Sequence, residues 1–126
     1  MNVYIKKARI SDPASPHQGE EKSILFQNGI IEEIGGDQPS EVDEVIDKPG
    51  LWISPGWVDV GAQAGEPGYE QRETLKTLTD AGRSGGYTHL LVFPNTDPVL
   101  DSKTDIEFVY RKAEQLNMSI LPIGAA

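Results

Sequence analysis

The pattern of apolar and polar residues changes near residue 55. Before that point, short runs of β-branched and alternating residues are separated by turn residues, which predicts short strands. Asn28-Gly29, between two of these runs, favours a two-residue hairpin turn. We therefore predict a small antiparallel β unit that forms a domain over residues 1–54. Its strands are predicted at 3–10, 23–27, 30–34, 44–47 and 51–54.

From residue 55 to residue 126, apolar runs alternate with segments of helical spacing. Leu75, Leu78 and Ala81 share one face of a helix that Gly85-Gly86 ends. Ser102 is the predicted cap of a second helix. Such alternation builds a parallel sheet through right-handed crossovers. The strands are predicted at 56–60, 88–93 and 118–124, and the buried stripe of the second helix at Ile106, Val109, Ala113 and Leu116.

The strand at 88–93 is a continuous apolar run, which is typical of a parallel strand covered on both faces. His89 lies within this run and has no partner at ligand spacing, so we expect a buried or interface histidine rather than a metal ligand. Three parallel strands alone leave two unpaired edges, which favour association. We therefore expect the chain to be cut from, or to work inside, something larger.

Composition narrows the functional classes. The chain has 126 residues, 37% of them hydrophobic and 25% charged, as in globular domains. It has no cysteine, which excludes a disulfide framework, a thiolate zinc site and a cysteine nucleophile. A net charge of -9 disfavours nucleic-acid and anionic-membrane binding. Without a membrane-length apolar run or a signal peptide, the expected location is the cytoplasm.

The segment 54–68 is the most informative part of the chain. It enters through Pro-Gly, forms a short strand and opens into a loop of small residues that carries Glu-Pro-Gly. In a (β/α) architecture, sites are assembled at such carboxyl ends of strands. The residues here are Gly61, Ala62, Gln63, Ala64 and Gly65, and none is a good metal ligand, acid, base or nucleophile. We expect Asp59 and Glu66 to be structural.

Two motifs resemble the dihydroorotase branch of the cyclic amidohydrolase superfamily. The first is the segment 55–68, and the second is Pro94-Asn95-Thr96-Asp97-Pro98. The resemblance covers essentially the whole chain. It implies an α/β fold in which a small N-terminal β-sandwich domain, built in the family from both chain ends, precedes the start of a TIM-like (β/α)8 barrel.

The resemblance also implies which positions of this chain correspond to the family's site residues. In the family, a His-Xaa-His pair holds zinc, which polarises a carbonyl and activates water, and an arginine pairs with the substrate carboxylate. Gly61 and Gln63 stand at the two histidine positions, and Gly65 stands at the arginine position. No catalytic or metal residue is therefore expected in this chain, and no cofactor, although zinc serves the family. The family's later ligands, a modified lysine, two histidines and an aspartate, would lie beyond residue 126.

Asn95 matches the family's substrate-binding asparagine and is the one site residue we predict. An equally good interpretation makes it a turn residue whose amide caps backbone groups. We expect His17 to be a solvated loop residue. For Trp52 and Trp57 we expect a role in packing rather than as a stacking platform for a ligand.

Three functional hypotheses follow. The first is a dihydroorotase-like homologue that is non-catalytic because its motif residues are replaced, acting as a structural or regulatory partner of aspartate carbamoyltransferase or as a homo-oligomer. The second is an active single-metal dihydroorotase or related cyclic amidohydrolase whose remaining ligands lie beyond residue 126. The third is a genuine short protein whose sheet is completed by a partner. The family reaction is the reversible cyclisation of N-carbamoyl-aspartate to dihydroorotate in pyrimidine biosynthesis.

Overall fold

Residues 1–125 are described by a computed structural model, and they divide into two units between Pro55 and Gly56. Among these residues, neither helix has the length and apolar character needed to cross a membrane. The first unit contains β1 (Asn2–Ile10), β2 (Glu21–Gln27), β3 (Ile30–Ile34), β4 (Glu44–Ile46) and β5 (Trp52–Ile53). The second contains β6 (Trp57–Ala62), α1 (Leu75–Ser84), β7 (Tyr87–Val92), α2 (Lys103–Ala113) and β8 (Ser119–Pro122).

The first unit is one mixed sheet. Its order is β3-β2-β1-β4, and β5 also pairs with β1. β2 is antiparallel to both β1 and β3, whereas β4 and β5 run parallel to β1. The expectation of an all-antiparallel unit is therefore wrong, because the chain crosses from β3 to the far side of β1 before it pairs again. The predicted sandwich is not formed by the described residues either, since all five strands join a single sheet.

The hairpin between β2 and β3 forms as its sequence predicts. Asn28 has φ 52° and Gly29 has φ 81°, and a type I′ turn requires positive φ at both positions. The register continues the turn, since Gln27 pairs with Ile30. The core of this unit is aliphatic, with Ile5, Ala8, Ile10 and Ile24 buried.

The second unit is a parallel sheet in the order β6-β7-β8, with α1 and α2 as the crossovers. The alternation of strands and helices is thus as predicted. Ser102 caps α2, with its hydroxyl accepting the Asp105 N–H at 3.3 Å. Leu75, Leu90 and Val109 are fully buried between the sheet and the helices.

The buried face of α1 differs from the predicted one. Ala81 is exposed, whereas Thr79 is buried and its hydroxyl donates to the Leu75 carbonyl at 2.7 Å. A helix with 3.6 residues per turn returns to the same face after three, four and seven residues. The face that begins at Leu75 therefore continues through Leu78, Thr79 and Gly82, and position 81 falls beside it.

One face of the second sheet is open. Both helices pack on the side of Leu90, so the opposite side carries Val58, Val60 and Leu121, which are 54%, 72% and 37% exposed. The expectation that the strand at 88–93 is covered on both faces is therefore wrong. His89 lies on this open side and is exposed, with its Nδ1 2.9 Å from the Thr88 hydroxyl, so it is not a buried histidine in the described chain. Three strands with an open face do not make a closed barrel.

Candidate functional site

The loops that follow β6 and β7 meet at the carboxyl edge of the second sheet. Because these strands are adjacent and parallel, their carboxyl ends lie side by side. The Phe93 N–H donates to the Ala62 carbonyl at 3.0 Å, and the Asp97 N–H donates to the Pro67 carbonyl at 3.0 Å. Open α/β sheets bind their ligands at this edge.

A small cavity lies between these two loops. Its volume is about 100 Å³. The sequence-predicted Asn95 lies in it together with two of the replaced positions, Gln63 and Gly65, although Asn95 is far from both in sequence. The remaining lining comes from the loop after Gly65 and from Ala64: the residues are Ala64, Tyr69, Arg72 and Glu73.

Asn95 is exposed, and the turn in which it lies is held by hydrogen bonds of the next residue, Thr96. The hydroxyl of Thr96 is part-buried and lies 2.8 Å from the Pro98 carbonyl and 3.3 Å from the Pro94 carbonyl. Thr96 thus does the hydrogen bonding that the structural interpretation assigned to Asn95. The substrate-binding role of Asn95 stays a prediction.

Gly61 has a backbone that suits glycine. Its φ is 131°, a region that residues with a Cβ rarely adopt. A Cβ built there would lie 3.0 Å from two carbons of the Phe93 ring. A histidine at this position would therefore need a different backbone as well as a different side chain.

Gly65 is enclosed by the loop that follows it. The Tyr69 N–H donates to the Gly65 carbonyl at 2.6 Å, which curls residues 65–73 back on themselves. A Cβ built on Gly65 would lie 2.5 Å from the carbonyl oxygens of both Tyr69 and Glu73. Backbone atoms thus occupy the space through which an arginine side chain at position 65 would have to leave.

Glu66 is the most buried charged residue near the cavity. It is 5% exposed, and its Oε2 accepts the backbone N–H of Leu75 at 2.9 Å, at the first turn of α1. Its Oε1 contacts the Nζ of Lys112 on α2. A negative carboxylate at a helix N-terminus is stabilised by the helix dipole. Glu66 therefore ties the strand-end loop to both helices, a structural role whose two partners the sequence did not indicate.

Arg72 lines the cavity although neither motif includes it. Its Cζ lies 4.9 Å from the centre of the Tyr69 ring, and its backbone N–H donates to the Tyr69 carbonyl at 2.8 Å. The one available signal was its position in a short polar loop directly after Glu-Pro-Gly. In the same loop, the N–H of Gly68 donates to Glu70 and holds the pKa of that carboxyl below its usual value.

The residues around the cavity do not fit a zinc ion. Zinc in proteins takes imidazole, thiolate and carboxylate ligands. The described part of the chain contains no group of three or more histidine, aspartate or glutamate side chains arranged to hold a metal. His17 lies in the first unit beside Glu20, and His89 lies on the open face of β7. Asp59 lies within β6, half-buried, in register with Leu90.

Comparison with known proteins finds relatives that share one name, dihydroorotase. No family model matches the chain. It is 36% identical over 127 residues to a dihydroorotase from Geotalea daltonii and 39% identical over 126 residues to one from Ruminiclostridium cellulolyticum. Each match covers 99% of this chain but only 30% and 29% of the relative, so the chain spans about 30% of the length of these proteins.

Solved structures share the fold. An L-hydantoinase (dihydropyrimidinase) from Arthrobacter aurescens matches with a TM-score of 0.74 at 24% identity, over 97% of this chain and 27% of that one. A dihydroorotase crystal structure matches with a TM-score of 0.61 at 17% identity, over 98% of this chain and 30% of that one. The chain therefore belongs to the dihydroorotase branch of the cyclic amidohydrolase superfamily, as the counterpart of roughly 30% of a member's length and consistent with its N-terminal portion.

Proposed function

We propose that this chain is part of a dihydroorotase-like homologue that does not catalyse the family reaction, the reversible cyclisation of N-carbamoyl-aspartate to dihydroorotate. The observation that carries the proposal is the joint replacement at Gly61, Gln63 and Gly65 of the family's two histidines and its arginine. An amide side chain hydrogen-bonds but is a poor zinc ligand, and glycine offers no side chain at all.

The backbone supports the same proposal. A positive φ at Gly61 and the close approach of two carbonyl groups to Gly65 leave these positions adapted to glycine. Polarisation of a carbonyl by zinc and pairing of an arginine with a carboxylate would both have to come from other residues.

For the fold of the whole protein, we propose that the second unit is the opening βαβαβ segment of a TIM-like barrel. Its three parallel strands, with both helices on one side, support this proposal. The open side carrying Val58, Val60 and Leu121 then faces the barrel interior, and residues outside the described range complete the barrel. The single sheet of the first unit is proposed as one layer of the family's small β-sandwich.

The test of the function is zinc content and turnover in the full-length protein. We expect far less than one zinc per chain by metal analysis, and no turnover of N-carbamoyl-aspartate or dihydroorotate above the rate without protein. The dihydroorotase of Ruminiclostridium cellulolyticum, purified in the same way, is the matched positive control. Stoichiometric zinc together with turnover would instead establish the second hypothesis, an active single-metal enzyme whose zinc ligands lie in another part of the protein.

We further propose a structural or regulatory role in which the homologue associates with aspartate carbamoyltransferase or with itself. The support is the joint replacement at Gly61, Gln63 and Gly65, because a family member without these side chains can keep its fold and still bind another protein through its surface. The aspartate carbamoyltransferase from the same organism is the partner protein used to test the first of these two associations. Co-elution of the two full-length proteins in size-exclusion chromatography supports it, and separate elution at micromolar concentrations rejects it.

The 126-residue chain by itself is expected to associate. Val58, Val60 and Trp57 are more than half exposed, and both edges of the second sheet lack a partner among the described residues. We expect size-exclusion chromatography with light scattering to give a mass well above 13.8 kDa. A chain that is monomeric and unfolds cooperatively at the concentration used for chromatography would contradict this expectation.

A further inference from the structure

The tip of the hairpin between β2 and β3 is formed by Asn28 and Gly29. An asparagine amide carbon can react with the backbone nitrogen of the residue that follows it, and a side chain on that residue obstructs the approach. Glycine has no side chain and moves through more backbone conformations than other residues. A residue with a side chain follows each of the other asparagines, which are Asn2, Asn95 and Asn117. Asn28 is therefore the asparagine best placed for this reaction.

The Gly29 nitrogen, which is the attacking atom, has no backbone partner. Within residues 1–125, no backbone carbonyl accepts the Gly29 N–H, because the hairpin pairs Gln27 with Ile30 across the turn. Both turn residues are exposed, and a Cβ built on Gly29 would have no atom within 4 Å. The nitrogen thus has no backbone hydrogen bond to lose when it reacts, and no packed neighbour restricts the movement of the turn.

The N-terminus of the chain contacts the Asn28 amide. The Met1 ammonium donates to Oδ1 of Asn28 at 3.1 Å, and the Asn28 N–H donates to the Met1 carbonyl at 3.0 Å. A charged donor on an amide oxygen draws electron density from the amide carbon, which makes Cγ of Asn28 a better electrophile. The same ammonium attracts a carboxylate at this position more strongly than a neutral amide. The contact therefore favours both the attack on Cγ and a negatively charged product.

We propose that Asn28 is a site of spontaneous modification, at which the side-chain amide is lost through a cyclic imide and replaced by a carboxylate. The Gly29 nitrogen gives up its proton and bonds to Cγ of Asn28, while the bond from Cγ to Nδ2 breaks and ammonia leaves with that proton. Water then opens the ring. Addition of water at Cγ gives aspartate, and addition at the backbone carbonyl carbon gives isoaspartate. Asparagine and water thus become aspartate or isoaspartate and ammonium.

The isoaspartate product loosens the edge of the first sheet. It adds a methylene group to the backbone at the turn, which displaces β3 from its register. Among the described strands, β3 pairs with β2 alone. Hydrogen exchange of the β3 backbone N–H groups is expected to be faster in the isoaspartate form, and unchanged exchange would contradict this consequence. The modification requires neither zinc nor turnover, so it stands or falls separately from the proposed function.

The experiment follows the full-length protein during incubation at mildly alkaline pH in water enriched in heavy oxygen, with peptide mapping by mass spectrometry. Asn117 is the internal control, because it is exposed and has φ 50°, close to the 52° of Asn28, but precedes Met118. We expect Asn28 to convert about tenfold faster than Asn117, or more. Heavy oxygen is expected in the new carboxylate, with isoaspartate among the products.

A variant that preserves the turn gives a second measurement. Asn28→Gly removes the amide and leaves Gly-Gly, which a type I′ turn also accepts. In ion-exchange chromatography, the unmodified protein is expected to develop an acidic form with time that Asn28→Gly does not develop. The proposal is overturned if Asn28 does not convert, if Asn117 converts as fast, if isoaspartate is absent, or if Asn28→Gly develops the acidic form at the same rate.

Discussion

Replacing Glu66 with alanine is expected to lower the free energy of unfolding of the second unit by about 2–3 kcal/mol. The carboxylate is 5% exposed and accepts the Leu75 N–H at 2.9 Å, so its removal leaves a buried donor unpaired at the start of α1. Lys112 loses its partner as well, but its side chain is 46% exposed and can turn to solvent, which keeps the cost below that of a fully buried pair. Urea unfolding followed by helical circular dichroism measures the change.

Two further variants separate the parts of this effect. Glu66→Gln keeps an oxygen that can accept from Leu75 and loses only the charge, so we expect about half the loss. Glu70→Gln changes an exposed carboxylate of the same loop, whose partner is the Gly68 N–H, and is expected to shift stability by less than about 0.5 kcal/mol. Equal stability of Glu66→Ala and the unmodified protein would show that Glu66 does not hold the two helices.

Restoring the family arginine by Gly65→Arg is expected to destabilise the second unit by more than about 3 kcal/mol. The Cβ alone would lie 2.5 Å from two carbonyl oxygens, those of Tyr69 and Glu73, and backbone atoms cannot rotate away as a side chain can. The loop 65–73 would have to open, with loss of the hydrogen bond between the Tyr69 N–H and the Gly65 carbonyl. The unfolding midpoint in urea gives the measurement.

Gln63→His is the matched control for this experiment. Position 63 is exposed and belongs to the same motif, so the substitution is expected to leave stability within about 0.5 kcal/mol. The double change Gly61→His and Gln63→His is expected to gain no tight zinc site, because the positive φ at position 61 and the nearby Phe93 ring do not suit a histidine. Should Gly65→Arg unfold at the same urea concentration as the unmodified protein, the backbone account of the lost site is wrong.

The local pattern of apolar, polar and turn residues was sufficient to predict the helices, the hairpin and the two family motifs. Helical spacing predicted the presence of both helices, with Gly85 after the first and Ser102 as the cap of the second. Asn28-Gly29 predicted the hairpin because its φ preferences belong to those two residues alone. The two motifs also identified the family, since Gly61, Gln63 and Asn95 stand at recognisable distances from Pro-Gly and Glu-Pro-Gly.

Pairing between distant segments could not be predicted from local pattern. The parallel register of β4 and β5 against β1 depends on where the chain crosses the sheet, and a short apolar strand carries no signal of direction. The exposure of His89 has a similar origin, because both crossover helices pack on one side of the sheet and the run of residues does not show which side is left open.

The sequence by itself determined the order of strands and helices, the family and the loss of its motif side chains, because these follow from residue types at fixed short spacings. Only the tertiary structure decided that Glu66 meets Lys112, that Arg72 shares a cavity with Asn95, and that Gly65 is enclosed by backbone. Gly65 is enclosed because its own loop curls back on itself. The other two contacts join distant segments, since the parallel sheet brings the ends of β6 and β7 together whatever their separation along the chain, and both helices pack on the same side of that sheet.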